Sequence, residues 1–431
     1  MLMGNAIVGQ SGGPTAAINA TLAGVIRGAL KAECIETVYG MRNGIEGLLE
    51  ERVVDLCKLF GNEDALKILE QTPAAVLGSC RKKLPKPDSE DEADKELYRR
   101  LFKILEGLNI RYFFYIGGND SMDTVAKLSA YAEKAGVEMR IVGVPKTIDN
   151  DLALTDHTPG FGSAAKYIAT TMSEIIRDCS VYKVKAVTIV EIMGRDAGWL
   201  TASSAIGRVV NGYAPDYVYL PEKDFDMESF YCDIEKAFEK HPNVVVAVSE
   251  GLRFADGRYV GEGTQSGVTD AFGHKYLAGT GKALEMSVRE RFGCKARSVE
   301  LNLPQRCAGH LISLTDIEES VRIGQSAVEA AARGVSGVVM VFRRAEGDEY
   351  VCEIDSASVR GIANVTRYVP DEFITEGNNN VTDSCCEYLL PLIRGEYPVK
   401  YCDGLPVHAI IDSEKTKMQR TLSSLHFLFK H

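Results

Sequence analysis

The chain has 431 residues, 45% hydrophobic and 25% charged, an ordinary globular composition but too long for one simple core, so two lobes are expected. A net charge of −11 argues against nucleic acid or an anionic membrane surface as a partner. The 11 cysteines form no Cys-x-x-Cys pair, and the adjacent Cys385 and Cys386 make a poor zinc clasp, so reduced thiols and a cytoplasmic setting are expected. The opening Met1-Leu2-Met3-Gly4-Asn5 lacks a basic region and reads as direct entry into a strand instead of a signal peptide. No apolar run reaches membrane-spanning length.

In chain order, Asn5–Val8 predicts a strand, followed by a glycine loop and a helix from about Thr15 to Lys31. Arg81 to Arg100 is the most polar stretch and predicts a surface loop leading into a helix. Tyr112–Ile116 predicts a second strand ending in glycines. Met122, Val125, Ala126, Leu128 and Ala132 then recur at helical spacing across Ser121–Ala135, with Gly136 placed to end the helix. Ile141–Val144 reads as a short buried strand. Further strands are predicted at Val187–Ile192, Val244–Val248, Val299–Leu303 and Val338–Phe342. This alternation predicts an α/β fold of doubly wound, mostly parallel sheets.

The run Pro145-Lys146-Thr147-Ile148-Asp149-Asn150-Asp151 follows one of these strands. It crowds carboxylates, a hydroxyl, an amide and an ammonium at a strand's carboxyl end, where open α/β sheets bind ligands. Such a run suits a general base beside a cation that neutralises a phosphoryl group. Two glycine loops occupy equivalent positions. Gln10-Ser11-Gly12-Gly13-Pro14-Thr15 joins a strand to a helix but lacks the Gly-Lys-Ser/Thr of a nucleotide P-loop. Alone it fits a tight structural turn as well as a phosphate cradle. Ile116-Gly117-Gly118-Asn119-Asp120-Ser121 is the other, with Ser121 expected to partner free amides of the first helical turn. Together the three loops point to an anionic ligand.

These loops resemble those of the phosphofructokinase family, and the match runs nearly end to end. Its motifs appear in order as Ser11-Gly12-Gly13, Gly78-Ser79-Cys80-Arg81, Gly117-Gly118, Thr147-Ile148-Asp149-Asn150-Asp151, Met193-Gly194-Arg195, Ser249-Glu250-Gly251 and Gln305-Arg306. The resemblance implies a phosphofructokinase fold with its active site in the cleft between two α/β lobes. Residues 1–158 plus about 305–355 would form the phosphoryl-donor lobe, and about 159–304 plus 356–431 the fructose 6-phosphate lobe. It further implies magnesium-dependent phosphoryl transfer to the sugar's 1-hydroxyl.

Family members that use ATP carry glycine at two donor-site positions, occupied here by Asp120 and Lys146. Both substitutions resemble the pyrophosphate-dependent branch, which works in both glycolytic and gluconeogenic directions. A carboxylate at position 120 would stand where the α-phosphate of ATP sits. Two unit charges ~4 Å apart at an effective dielectric of ~20 repel by about 4 kcal/mol, roughly a thousandfold in binding. Lys146 would neutralise the donor as the bond breaks; its structural alternative is an ion pair with Asp149 or Asp151. The family's magnesium-associated aspartate is replaced by Asn119, a neutral oxygen donor, leaving Asn119, Asp120 and Asp151 as candidate metal ligands, alongside pyrophosphate oxygens acting through water. Gly12, Gly13, Gly118, Ser121 and Arg81 complete the implied donor site, while Lys82 and Lys83 read as solvated charge.

By the same resemblance, Asp149 is the general base and Thr147 contacts the sugar or the transferring group. Asp151 positions Lys146 or a metal-bound water, or caps the loop. Met193 and Gly194 bring backbone to the sugar, Arg195 stabilises the transferring phosphoryl group, and Glu250 accepts from sugar hydroxyls. Arg306 clamps the 6-phosphate, and Arg297 reaches a neighbouring subunit's site in a homodimer or homotetramer. A second cross-subunit arginine is replaced by Ala186, with Lys183 and Lys185 nearby, and Leu303 stands where histidine or tyrosine is usual. His157 and Trp199 are expected to be structural, and Gly377–Thr382 to be a turn. The rival readings are an ATP-dependent enzyme of the same family, which would want glycines at 120 and 146, and a non-catalytic sugar-phosphate sensor, which should have lost Asp149 or Arg195. A dinucleotide oxidoreductase would need a GxGxxG that Gly9–Pro14 does not supply.

Overall fold

A run of buried apolar residues from Ala6 to Val8 seeds the first strand of a seven-stranded sheet. In this computed structural model, residues 2–262, 279–347, 349–362 and 365–411 are described. The strands are β1 (Gly4–Gln10), β2 (Ile35–Met41), β3 (Val53–Asp55), β4 (Ile110–Gly117), β5 (Arg140–Pro145), β6 (Ala186–Ile192), β7 (Tyr217–Tyr219), β8 (Asn243–Ser249), β9 (Lys295–Glu300), β10 (Val338–Arg344) and β11 (Cys352–Ser358). The larger sheet has the order β11-β10-β5-β4-β1-β2-β3, and the second has the order β7-β8-β6-β9. Pairing is parallel throughout the second sheet and across β10-β5-β4-β1-β2, with β3 and β11 antiparallel at the edges.

Both faces of the larger sheet are covered. On one, Leu22, Val25 and Ile26 of the helix Ile18–Lys31 meet Ile323, Ala327 and Val328 of the helix Leu314–Ala332. On the other, Leu101 and Leu105 of Glu92–Gly107 pack with Met122, Val125 and Leu128 of Asn119–Ala135. The smaller sheet is covered by Phe161–Cys179 on one face and by Met227–Phe238 and Thr280–Phe292 on the other. Parallel strands buried on both faces need continuous apolar runs, which is why they were legible as such.

Three expectations shift. The first helix starts at Ile18, because Thr15 to Ala17 stay in the turn, where the Thr15 hydroxyl accepts from the Ala17 amide. The strand expected over Val299–Leu303 lies earlier, as β9, and ends at Glu300; Asn302 takes positive φ and Leu303 opens the short helix Pro304–Cys307. The stretch 356–411, expected wholly with the second lobe, divides. β11 runs to Ser358 in the larger sheet, Val369 to Leu392 pack in the core around Trp199, and Ala409 and Ile411 return to the first core. Gln71 fixes that return by donating to the Lys400 and Val407 carbonyls and accepting from the Lys400 amide. Residues 412–431 of the expected sugar lobe lie outside the described residues. All 11 cysteines are free, and among the described residues no helix is long and apolar enough to cross a membrane.

Candidate active site

β5, β4 and β1 are adjacent in the larger sheet, so the three polar loops leave it side by side. β8, β6 and β9 are adjacent in the smaller sheet and deliver Glu250, Met193–Arg195 and, past a short turn, Arg306. The two sets line one cavity of about 380 Å³. The sheets approach closely: a Cβ added at Gly13 would lie 3.7 Å from an Arg306 guanidinium nitrogen.

The first loop is held from behind by a buried amide pair. Gln10 donates to the Asn19 side chain at 2.8 Å and accepts from the Leu77 amide, while Asn19 donates to the Thr72 and Ala74 carbonyls and accepts from the Val76 amide. This fixes the segment that ends in Arg81 against the Gly12 turn, where φ is +76° and the Ser79 hydroxyl donates to the Gly12 carbonyl. The second loop abuts the first. A Cβ at Gly117 would fall 1.9 Å from the Ser121 hydroxyl, so that position requires glycine. The following helix begins at Asn119 with Gly118 as its cap, two residues earlier than expected. Ser121 therefore lies inside the first turn, buried against Gly117 and at the cavity wall, instead of capping free amides.

Lys146 is buried, and its Nζ donates to the Gly13 carbonyl at 2.6 Å, a backbone partner in place of the ion pair with Asp149 or Asp151 considered above. Burial pushes its pKa down to about 8, with Arg306 and Arg81 adding to that push and Asp149 and Asp151 opposing it. Asp149 lies in the same cavity. Desolvation pushes its pKa up to about 7, Asp151 adds to the rise, and Lys146 and Arg195 oppose it. Its amide donates to the Thr147 hydroxyl at 3.1 Å, and the Thr147 carbonyl accepts from Thr158. Asn150 turns the chain with φ of 54°.

Asp151 is likewise raised by burial, and its carboxylate accepts from the Asn119 amide nitrogen at 3.2 Å. The Asn119 oxygen is buried with no hydrogen-bond partner among the described residues, an open hard donor beside a carboxylate. Asp120, by contrast, is 42% exposed and pairs with Lys83 at 3.1 Å. The reading of Lys83 as solvated charge missed that partner, because a loop-to-helix contact leaves no spacing signal.

On the smaller-sheet side, Gly194 has φ of +129°, a backbone state closed to other residues, and its amide donates to Glu250 at 3.3 Å. Burial pushes the Glu250 carboxyl up to about 8, helped by Asp149 and Glu191. A Cβ on Gly251 would lie 1.9 Å from the Arg195 carbonyl oxygen, so the two loops pack backbone to backbone. Gln305, quoted only as part of a motif, is buried and accepts from the Met193 amide at 3.2 Å while donating to the Asn302 carbonyl. It fixes Arg306 relative to Met193. Asp196 at the cavity edge, paired with Arg253, was not anticipated. Arg297 lies on β9 opposite Thr188, outside the cavity of its own chain. Trp199 is fully buried with Arg367 over its ring, and His157 is buried between Asp156 and Glu319.

A raised carboxylate, a buried lysine, three arginines and two glycine loops in one cleft between parallel sheets define a phosphoryl-transfer site acting on an anionic acceptor. The chain belongs to the phosphofructokinase family, whose model, described as Phosphofructokinase, matches residues 5–331. It is 38% identical over 409 residues to pyrophosphate–fructose 6-phosphate 1-phosphotransferase of Halomonas elongata, covering 94% of this chain and 96% of that protein. The protein of the same name from Xanthomonas campestris pv. campestris is 40% identical over 409 residues, with coverage of 94% and 96%. The crystal structure of a pyrophosphate-dependent phosphofructokinase from Nitrosospira multiformis superposes with a TM-score of 0.83 at 36% identity, covering 94% of this chain and 95% of that one.

Proposed function

We propose that this chain reversibly transfers a phosphoryl group from pyrophosphate to the 1-hydroxyl of fructose 6-phosphate, giving fructose 1,6-bisphosphate and phosphate. The observation that carries the reading is that Asp120 and Lys146 line the same cavity as Asp149 and Arg306. Two close relatives carry the pyrophosphate name.

The backbone of Gly12, Gly13 and Gly118 offers close approach to pyrophosphate, with Arg81 facing its charge. Lys146, tied to the Gly13 carbonyl, stands between the donor loop and the catalytic loop, where it neutralises charge that builds as the bond breaks. Asp149 takes the proton of the 1-hydroxyl, and a pKa near 7 suits a base working near neutrality. Arg195 stabilises the transferring group and Thr147 orients the base loop. Glu250 and the Met193–Gly194 backbone hold sugar hydroxyls, and Arg306 grips the 6-phosphate with its fork. Magnesium fits the open Asn119 oxygen beside Asp151, with Asp120 at the rim, and when bound it neutralises pyrophosphate oxygens.

The donor side is assigned to the larger sheet and the sugar side to the smaller. Self-association as a homodimer or homotetramer is part of the proposal. β9 is an edge strand carrying Arg297, and Tyr182, whose ring lies under Lys295 of that strand, is 56% exposed. The free thiols support a cytoplasmic setting. The test is an assay of purified protein with fructose 6-phosphate and magnesium, using pyrophosphate or ATP as donor. Turnover with pyrophosphate and little with ATP is expected; the opposite preference overturns the donor assignment.

A further inference from the structure

The carboxylate that guards the donor end is not alone. Lys83 Nζ lies 3.1 Å from Asp120 Oδ1, with the two side chains 53% and 42% exposed, so the pair lies at the cavity's mouth and not on its floor. Lys83 is held in place from the next residues along. Leu84 is buried, and its carbonyl accepts from Lys127 Nζ at 2.7 Å. Lys127 stands on the same helix as Asp120 and pairs with Asp123 at 2.6 Å, while the Tyr98 hydroxyl donates to the Pro85 carbonyl. The segment after Arg81 is thus fastened to the helix Asn119–Ala135 at two points, and the outer one is the Lys83–Asp120 pair.

Resting on the donor reading above, we propose that Lys83 is a specificity-determining residue that holds the Asp120 carboxylate across the donor mouth and so limits the donor to two phosphoryl groups. Two consequences follow from the pairing. Lys83 offsets part of the Asp120 charge, so a longer polyphosphate chain is excluded by occupied space more than by repulsion. An exposed ion pair contributes little to folding, so removing Lys83 acts on selectivity and leaves the fold intact.

The experiment measures kcat/KM of the full chain with fructose 6-phosphate and magnesium, using pyrophosphate or inorganic tripolyphosphate as donor. The proteins are wild type, Lys83→Met, Lys83→Arg, Asp120→Asn and the Lys83→Met/Asp120→Asn double variant. Lys83→Met should raise the tripolyphosphate-to-pyrophosphate ratio about tenfold, an ordinary coupling between contacting residues. Lys83→Arg should keep the wild-type ratio, and Lys83→Met should add little once Asp120 is Asn. An unchanged ratio in Lys83→Met overturns the proposal, as does an equal effect with and without the Asp120 carboxylate, which would make Lys83 a direct donor ligand. Wild-type protein inactive with pyrophosphate overturns the functional reading and this proposal with it.

Discussion

Asp149 is the residue whose titration reports most directly on the chemistry. Its carboxyl is raised to about 7 by desolvation, so kcat/KM should climb as pH rises through about 7, well above the ordinary aspartate range. Asp149→Asn removes the proposed base, and turnover should fall by about 10²–10⁴-fold with sugar-phosphate binding largely kept. A variant that keeps the wild-type acid limb would transfer the role to another carboxylate, with Glu250 next in line. Residues of this kind were legible because three polar loops on strand ends cannot all be ordinary turns. Lys83, Gln305 and the Gln10–Asn19 pair were not. Each acts through a contact between segments remote in sequence, and a buried glutamine looks like any other until its partners are known.

At the scale of elements, the long buried strands were readable from their apolar runs, whereas β2 and β11, only partly buried and without such a run, and β3 and β7, three residues each, were not seen. The helices Ile18–Lys31 and Leu314–Ala332 cross at glycines that sequence alone could not connect. A Cβ on Gly24 would stand 2.1 Å from the Val321 carbonyl oxygen, and one on Gly324 would stand 2.3 Å from that of Thr21. Alanine improves helix propensity by up to about 1 kcal/mol, but here it meets backbone that cannot swing aside. Gly24→Ala should therefore lower stability by about 1–3 kcal/mol, seen as a lower melting temperature. Gly107→Ala, with open space around its Cβ, is the matched control and should be neutral or slightly stabilising. Equal effects at the two positions would mean the crossing relaxes freely.

At the scale of the whole molecule, His157 joins parts that belong to different cores. It donates toward Asp156 at 2.9 Å and toward Glu319 at 2.7 Å, and stacks on Phe342. Asp156 in turn holds Arg344 and the Tyr388 hydroxyl. Cys352 completes a cluster with metal-ligand spacing, but both imidazole nitrogens already face carboxylates, which makes it an ion-pair hub. Glu319 and Asp156 overcome the burial cost and raise His157 from 6.5 to about 9. A raised histidine stabilises the fold fully below about 6.5, and that share is lost as pH rises through about 9. Melting temperature should fall across this window in the wild type. His157→Gln should melt lower at pH 6 by an amount equivalent to about 3–5 kcal/mol, and flatten that slope. Parallel curves for the two proteins would show the imidazole to be neutral.

The path of the chain has a genetic corollary. The larger sheet takes strands from both Gly4–Pro145 and Val338–Ser358, and the core around Trp199 takes residues from Ile148 to Leu392. Ala409 and Ile411 then return to the first core. A single cut in the reading frame therefore leaves each fragment owing strands or core side chains to the other. On the donor reading proposed above, donor preference should change by point substitution at the loops, as at positions 83, 120 and 146, but not by trading one lobe for another as an uninterrupted cassette.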